Sequence, residues 1–516
     1  MEESERIHWA EQYAEKIIEN RKKDLYIVES GITPSGVVHA GNFREYLTHD
    51  QIYKSLKAKG VNVMHQMVWD NFDRLRKVPA GVPKEWEQYL GLPTSKVPDP
   101  FGNCHKSYAH HFQDFAEQEA ARLGLEMEYI DITEKYEACE FTEEIKIALE
   151  NTAKIKTILD KYRKDPLEED WLPIRVYCEK CGKDFTKARY LGGYELQYAC
   201  DQCGNSNKID FRKSGNVKLS WRVDWPARWK HYSVDFESSG KEHQSSGGSM
   251  STGLEIYKEV YHGEDFQHPM YEFISMKGEQ GKMSSSKGNV LTISEMLEVY
   301  SPEVLKYVYT GKISKALEIP FDLDLPNTFN RYDNAEQIYF GVKEGDENEK
   351  TRYVMTMKTI PKKFIPKVQY LVCANVIQSA NYDINKAIEI LKKLGHVHNE
   401  NEEHTRQRLI LAGNWVKKYA PDNIKFTLQE TLPQVELTKQ HKELLGYVAG
   451  LLEKGLPEDD LQNEIYSKAK ALEIPAKEAF QKFYQLLLNE NRGPKLGSFL
   501  ASLDRDFAIK RLRLEA

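Results

Sequence analysis

The stretch Leu25-Tyr-Ile-Val-Glu-Ser-Gly-Ile-Thr-Pro-Ser-Gly-Val-Val-His-Ala-Gly-Asn42 decides the fold of this chain. Its first six residues have the apolar composition of a short strand, and the residues from Phe43 to Lys59 have helical spacing that ends before Gly60. A strand, a glycine-containing turn and a helix in this order predict a parallel α/β sheet. Ligands of such sheets bind beyond the carboxyl ends of the strands, so we expect a binding site at this turn.

The turn suits an anionic ligand. A helix amino terminus offers N–H groups and a partial positive charge to anions, but this dipole contributes only about 0.3–1 kcal/mol, so a triphosphate needs further donors. His39 and Asn42 are three residues apart on the first helical turn and face the same way. Gly36 and Gly41 lack side chains where a nucleotide must approach closely. Taken alone, the pattern is more typical of an ordinary βα turn with a surface histidine.

A second motif lies far along the chain, in Lys282-Met-Ser-Ser-Ser-Lys-Gly-Asn289, which we call the lysine-serine loop. It combines two cations, three hydroxyls and a glycine, a composition suited to closing over a polyphosphate. Thr292-Ile-Ser-Glu295 follows at once and predicts a capping box that begins the next helix. Alone, such a loop is typical of a solvated surface segment. The histidine motif upstream favours phosphate binding.

Together the two motifs resemble the paired signatures of class I aminoacyl-tRNA synthetases. Asn42 stands in place of the second histidine of the general signature and Ser285 in place of its second lysine, while Lys287 supplies a positive charge two positions later. Both departures are usual in the class I type of lysyl-tRNA synthetases, found in archaea and some bacteria. The longer phrases that also resemble this branch are Val28-Glu-Ser-Gly-Ile-Thr-Pro-Ser-Gly36, Trp69-Asp-Asn-Phe-Asp-Arg74, Val97-Pro-Asp-Pro-Phe-Gly102, Trp221-Arg-Val-Asp-Trp-Pro-Ala-Arg-Trp229 and the lysine-serine loop.

The resemblance implies ATP-dependent ligation of L-lysine to tRNA(Lys) through a lysyl-adenylate. The lysine carboxylate attacks the α-phosphorus of ATP, and the terminal adenosine of the tRNA then attacks the adenylate. Neither step needs a side-chain nucleophile, so catalysis is expected from positioning and charge stabilisation. Mg²⁺ is expected with ATP, without a named protein ligand. The implied catalytic residues are His39, Asn42, Lys282 and Lys287, and the implied ATP-binding residues are Pro34, Gly36, His39, Gly41, Asn42, Lys282, Ser284, Ser285 and Ser286.

The same resemblance implies a pocket for the lysine side chain. An unpaired buried ammonium is costly, so the pocket needs a carboxylate or several acceptors. We assign this role to Glu29, at the end of the first strand, with a solvated loop glutamate as the alternative. The implied residues around the stem are Trp221, His243 and Tyr271, and those around the amino acid backbone are Gly31 and Thr33.

Two clusters of metal-ligating residues interrupt the α/β pattern. Cys178, Cys181, Cys200 and Cys203 form two CxxC pairs, each followed by a glycine that permits the tight turn of a zinc knuckle. A structural zinc ion is predicted there, with two unrelated thiol pairs or a redox pair as the alternatives. Four thiolates leave no open coordination position, which argues against hydrolytic chemistry.

The second cluster lies between Asp99 and His111, where a polar loop that leads into a helix is the plain interpretation. The resemblance implies a second zinc site here, with ligands Asp99, Cys104, His105 and His111, and His110 competes with His111 for the last place.

Composition limits the remaining possibilities. The chain has 516 residues and a formal net charge of -7, so a nucleic-acid contact must use local basic patches. The amino terminus lacks a basic segment followed by an apolar core, and no apolar run approaches membrane-spanning length. Seven cysteines in such a chain indicate reduced thiols or metal ligands, and we expect a cytoplasmic monomer.

The predicted organisation is an α/β Rossmann-type catalytic domain with a zinc-containing insertion, followed by a mainly α-helical anticodon-binding carboxyl-terminal region. The sheet is expected to resume at His231-Tyr-Ser-Val-Asp-Phe-Glu237. The predicted ranges are 1–70 and 217–290 for the two halves of the catalytic domain, 71–216 for the insertion, 291–345 for a helical connector and 346–516 for the anticodon-binding domain.

Two alternatives stay open at this point. One is a class I synthetase for glutamate, glutamine, cysteine or arginine, although a glutamate pocket should carry arginine and a cysteine enzyme would place zinc in the substrate pocket. The other is a tRNA-binding or regulatory relative without catalysis, against which the presence of His39, Lys282 and Lys287 argues.

Overall fold

The computed structural model describes residues 7–79, 81–102, 104–278 and 291–515, and the lysine-serine loop lies outside these ranges. The strands are β1 (Tyr26–Ile32), β2 (Val63–Trp69), β3 (Glu128–Asp131), β4 (Ile174–Val176), β5 (Thr186–Gly192), β6 (Glu195–Cys200), β7 (Ser206–Asp210), β8 (Val217–Leu219), β9 (Ser239–Gly240), β10 (Met270–Tyr271), β11 (Ile274–Met276) and β12 (Leu317–Ile319).

Helices make up most of the remaining regular structure. They are α1 (Trp9–Asn20), α2 (Ala40–Ala58), α3 (Tyr108–Arg122), α4 (Ile132–Glu137), α5 (Thr142–Glu150), α6 (Thr152–Asp160), α7 (Trp221–Tyr232), α8 (Lys241–Gln244), α9 (Ser249–Glu259), α10 (Ile293–Met296), α11 (Pro302–Tyr309), α12 (Asp324–Tyr339), α13 (Glu347–Thr356), α14 (Tyr370–Ser379), α15 (Ile384–Lys393), α16 (Glu402–Lys418), α17 (Lys439–Lys454), α18 (Glu458–Ala471), α19 (Ala476–Leu488), α20 (Leu496–Ser502) and α21 (Arg505–Leu512).

A parallel sheet organises the amino-terminal half. β1 pairs with β2, and β2 pairs with β3. On the other side of β1, Phe236 forms parallel bridges to Val28 and to Gln267, and β9 continues this ladder by pairing with β10. The strand order is therefore β3, β2, β1, the segment ending in β9 and the segment ending in β10. The carboxyl ends of these segments lie at one edge, where ligands bind in open parallel sheets.

The opening strand–turn–helix unit forms as the sequence predicts. The buried residues of β1 include Tyr26, Ile27 and Val28, and α2 begins at Ala40, directly after His39. The predicted capping box that begins α10 is also present, because Thr292 Oγ1 accepts from the Glu295 N–H and the Glu295 carboxylate accepts from the Thr292 N–H.

The prediction for residues 231–237 needs a correction. α7 continues through Tyr232, so His231 is helical, and Ser233 ends the helix in the left-handed conformation with φ of 55°. Only Phe236 of this segment forms a sheet bridge before β9 begins at Ser239. The segment predicted as a strand is therefore the last turn of a helix followed by a short edge segment.

The hydrophobic cores do not follow the predicted boundary at residues 345 and 346. Buried residues of α2 and of α10–α16 form one core, and Ala420 is the last buried residue of this core along the chain. Tyr332 and Tyr353 lie on either side of the predicted boundary, with ring centroids 5.7 Å apart. A separate core contains buried residues from Leu444 to Leu512, with Phe426 packed against it. The break between these two cores thus lies after Ala420.

In the described ranges, no helix combines the length and the apolar character needed to cross a membrane.

Candidate active site

A cavity of about 600 Å³ lies at the carboxyl edge of the parallel sheet. Residues that follow β1, β2, β9 and β10 all contribute to its wall, as the strand order requires. Those that the sequence predicts for a ligand site are Gly31, Thr33, His39, Gly41, Asn42, Trp221, His243 and Tyr271. Pro34 and Gly36 lie in the adjoining turn and are not part of the lining.

His39 and Asn42 hold the beginning of α2 together. The His39 Nδ1 accepts from the Gly41 N–H at 3.0 Å, and the Asn42 Oδ1 accepts from the His39 N–H at 3.1 Å. An acceptor at Nδ1 puts the proton of the neutral imidazole on Nε2. His39 therefore has the tautomer that can donate a hydrogen bond from Nε2.

The chain that leaves the lysine-serine loop lies beside this helix start. The Ala40 N–H donates to the carbonyl of Leu291 at 2.9 Å, and the Tyr309 hydroxyl donates to the Ala40 carbonyl at 3.0 Å. Leu291 is two residues beyond Asn289, the last residue of the loop. The described chain that follows the loop thus meets the start of α2, although more than 200 residues separate the two motifs.

Glu29 does not reach the cavity. Its side chain is fully buried, and its Oε2 accepts from the Gln66 Nε2 at 2.5 Å. Burial raises the pKa of Glu29 to about 7, and the nearby Arg228 guanidinium opposes this shift. The prediction that Glu29 contacts the ligand is therefore corrected, because its side chain lies within the protein core and outside the cavity lining.

Glu45 is the carboxylate that the sequence interpretation missed. It lies on α2, three residues after Asn42, and lines the cavity. Its Oε1 accepts from the Gly31 N–H at 3.2 Å and its Oε2 from the Tyr271 hydroxyl at 3.1 Å. Burial raises the pKa of Glu45 to about 7, against the opposing effect of these two hydrogen bonds. The spacing of three residues from Asn42 is a signal that points to Glu45, since it puts both side chains on one helix face.

Two other acidic groups of the wall, Asp70 and Asp73, are neutralised within the protein. Asp70 pairs with Arg228 at 2.7 Å, and Asp73 pairs with the buried Lys218 at 3.1 Å. Glu45, by contrast, has no lysine or arginine nitrogen within 4 Å among the residues that the structure describes. The cavity therefore presents a carboxylate without a cationic partner of its own.

Aromatic side chains form another part of the wall. Trp221 and Trp225, one helical turn apart on α7, stack with ring centroids 5.9 Å apart. His243 meets both rings edge-on, and its Nδ1 lies 2.6 Å from the Ser249 hydroxyl. Trp221 is partly exposed and Trp225 is buried. This wall offers apolar faces to an aliphatic chain and polar edges to its ends.

The four CxxC cysteines meet in one cluster. The Sγ atoms of Cys178 and Cys203 are 3.6 Å apart, and those of Cys181 and Cys200 are 3.7 Å apart. Tetrahedral zinc with bonds of about 2.3 Å requires sulfur separations of about 3.8 Å. Gly182 and Gly204 have φ of 73° and 70°, as the tight knuckle turns need. The donor set therefore fits a structural zinc ion.

The second cluster contains Asp99, Cys104, His105 and His111, whose ligand atoms all lie within 4.8 Å of one another. The Cys104 Sγ is 3.2 Å from Asp99 Oδ2, 3.0 Å from His105 Nδ1 and 3.5 Å from His111 Nδ1. His110 points elsewhere, with its Nδ1 2.6 Å from the Ser107 hydroxyl and its Nε2 3.3 Å from Asp131. The geometry thus favours His111 over His110 as the fourth ligand.

Comparison with known proteins adds an independent line of evidence. Residues 7–360 match the family model described as tRNA synthetases class I (K). The chain is 43% identical to the lysine–tRNA ligase of Pyrococcus horikoshii, over 99% of this chain and all of that protein. It is 39% identical to the enzyme of the same name from Methanocaldococcus jannaschii (98% and 100% covered) and 36% identical to that from Borreliella burgdorferi (97% of each).

Proposed function

The chain belongs to the lysine type of class I tRNA synthetases, and we propose which of its residues perform each part of the ligation of lysine to tRNA. The resemblance noted in the sequence is confirmed by full-length relatives that carry the name lysine–tRNA ligase. The chain is accordingly a class I enzyme that charges tRNA with lysine at the expense of ATP.

The proposed partner of the lysine ammonium is Glu45, and this assignment carries the structural argument. Glu45 lacks a cationic partner among the described residues, while Asp70 and Asp73 have theirs. A buried carboxylate without a counter-charge is stabilised when a ligand brings a cation. The Tyr271 hydroxyl supports the carboxylate from one side, and Trp221 and His243 lie along the wall that would contact the aliphatic stem.

Gly31 and Thr33 are proposed to face the backbone end of the amino acid. Both line the cavity directly after the buried part of β1. The Gly31 N–H is already engaged by Glu45 at 3.2 Å, so Gly31 links the two ends of the proposed lysine site.

The proposed ATP site combines the start of α2 with the lysine-serine loop. His39 and Asn42 would donate to the phosphates, and Pro34, Gly36 and Gly41 would let the nucleotide approach the backbone. Lys282 and Lys287 would stabilise charge on the departing pyrophosphate, with Ser284, Ser285 and Ser286 as further donors. The bond between Ala40 and Leu291 supports this pairing, because it tethers the chain after the loop to the start of α2.

Both metal clusters are proposed to hold structural zinc, and Mg²⁺ is proposed to accompany ATP. Zinc at these sites would stabilise the surrounding fold and take no part in the ligation, because each cluster already offers four protein ligands. Helices α17–α21, which pack around their own core, are proposed to bind the anticodon arm of the tRNA.

The test is pyrophosphate exchange with each standard amino acid, followed by charging of total tRNA. Exchange that depends on lysine alone, with lysine transferred to tRNA, is the expected result. Exchange with glutamate, glutamine, cysteine or arginine would assign the chain to another specificity. Absence of exchange with intact tRNA binding would identify a non-catalytic relative.

A further inference from the structure

We propose that Tyr108 is a positioning residue for the ATP site, which acts by holding the turn at residues 33–37 through a single hydrogen bond. This inference rests on the proposed function, because it assumes that the turn before His39 contacts ATP. We call residues 33–37 the signature turn.

Tyr108 is built to donate this hydrogen bond. It is the first residue of α3, its side chain is 1% exposed, and its hydroxyl donates to the carbonyl of Ser35 at 2.8 Å. Its backbone N–H is fixed by the Val97 carbonyl, and its ring packs edge-on against Phe112 with centroids 5.1 Å apart. Burial raises the pKa of Tyr108 to about 12, so the hydroxyl keeps its proton.

The signature turn has few other restraints. Within the turn, the Ser35 N–H donates to the Thr33 carbonyl at 2.8 Å. In the described part of the chain, Tyr108 is the only side chain outside the turn that forms a hydrogen bond with residues 33–37. Thr33, Ser35 and Val37 are exposed, and Pro34 is buried. Besides the packing of Pro34, the hydroxyl of Tyr108 therefore supplies the side-chain hydrogen bond that holds the backbone of the turn.

The contact links the ATP site to the second metal cluster. Tyr108 precedes His111 by one helical turn on α3, and both belong to the segment that begins at Asp99. The ring of Tyr108 lies in a small core of its own, with Leu75, Val97 and Phe112. The Tyr108 hydroxyl thus connects the metal-ligating segment to the signature turn. Glu45 and Tyr271, the residues proposed for the lysine ammonium, form no hydrogen bond with Tyr108 in the described part of the chain.

The experiment removes only the oxygen atom. In the full-length protein, Tyr108→Phe is expected to raise the Kd for ATP about two- to tenfold, which corresponds to one net hydrogen bond. The Kd for lysine should stay within the error of the wild-type value. Titration calorimetry with each substrate alone measures both. Amide exchange of the peptide that covers the signature turn should also become faster.

Tyr370→Phe is the matched control. Tyr370 is also the first residue of a helix, is fully buried and donates to a backbone carbonyl, that of Val299, at 3.1 Å. Thermal unfolding should show similar losses for both variants, with ATP affinity lowered only in Tyr108→Phe. The proposal is overturned if Tyr108→Phe weakens ATP binding no more than the control, or weakens lysine binding equally. Failure of the proposed function would look different, since the wild type itself would then bind no ATP.

Discussion

Glu45 is held in place by the protein before any substrate arrives. Its two oxygens accept from Gly31 and from the Tyr271 hydroxyl, and burial raises its pKa to about 7. A carboxyl group with this pKa is about half protonated at neutral pH. A lysine ammonium beside it favours the ionised form, so lysine binding should be linked to the release of a proton.

The first residue-scale prediction concerns Glu45→Gln. The substitution keeps the shape and removes the charge, so the lysine ammonium loses a charge-assisted hydrogen bond of about 1.5–3 kcal/mol. The KM for lysine in pyrophosphate exchange should rise at least about tenfold, while the KM for ATP stays near its wild-type value. Glu29→Gln is the control, because Glu29 is buried outside the cavity. If Glu29→Gln weakened lysine binding more than Glu45→Gln does, Glu29 would be the partner of the lysine ammonium.

The pH dependence of lysine binding gives a second prediction at this scale. Below the raised pKa, Glu45 is protonated and cannot pair with the ammonium, so affinity should be low at pH 6 and increase through about pH 7. Above pH 8 it should level off, because the lysine ammonium stays charged until about pH 10. Titration calorimetry across this range measures the profile. Glu45→Gln should remove this dependence of lysine affinity on pH. If the profile of that variant were unchanged, the group that titrates would be a residue other than Glu45.

The lysine pocket shows why sequence alone places some residues and misplaces others. His39 and Asn42 could be predicted, because their roles depend on one helix start and on neighbouring residues. Glu45 lies on that same helix, but its partner Tyr271 is 226 positions away. Only the assembled sheet shows that the Glu45 side chain on α2, and not the Glu29 side chain on β1, lines the cavity.

At the scale of elements, local signals succeeded and long-range ones did not. The presence of β1 and α2 follows from composition and from the glycine turn, although β1 extends two residues further than predicted and α2 begins three residues earlier. The end of α7 does not, since the sequence places His231 in a strand, whereas the helix continues through Tyr232 and ends at the left-handed Ser233. Packing of Trp229 on Tyr257 and Phe266 fixes this helix from elsewhere in the chain.

The four-cysteine module gives the element-scale prediction. Cys181→Ser removes one of the four proposed zinc ligands, and a structural zinc ion contributes strongly to the folding of a small module. The variant should lose the zinc of this module, as measured by elemental analysis, and should unfold at a lower temperature. Cys139→Ser is the control, because Cys139 is a free thiol outside both clusters. Equal zinc content in the two variants would contradict the assignment.

In the molecule as a whole, the last helices pack around a hydrophobic core that is separate from the core containing α2, the helix that lines the cavity. Residues 444–512 pack around their own core. Contacts between the two cores include those of Ser379 with Ser502 and of Gln378 with Phe426. A surface substitution on α17–α21 should therefore leave amino acid activation intact while changing any contact with RNA.

Tyr466 offers the sharpest test of this separation. Its ring is 53% exposed on α18 and rests edge-on against Phe480, with centroids 5.2 Å apart. Proteins that bind single-stranded RNA loops stack bases on such rings, at about 1–3 kcal/mol per base. Tyr466→Ala should raise the KM for tRNA in lysine charging and leave lysine-dependent pyrophosphate exchange unchanged. Tyr162→Ala removes an exposed tyrosine from the amino-terminal half and should change neither activity. If tRNA charging fell equally in Tyr466→Ala and Tyr162→Ala, the loss would not be due to base stacking on α18.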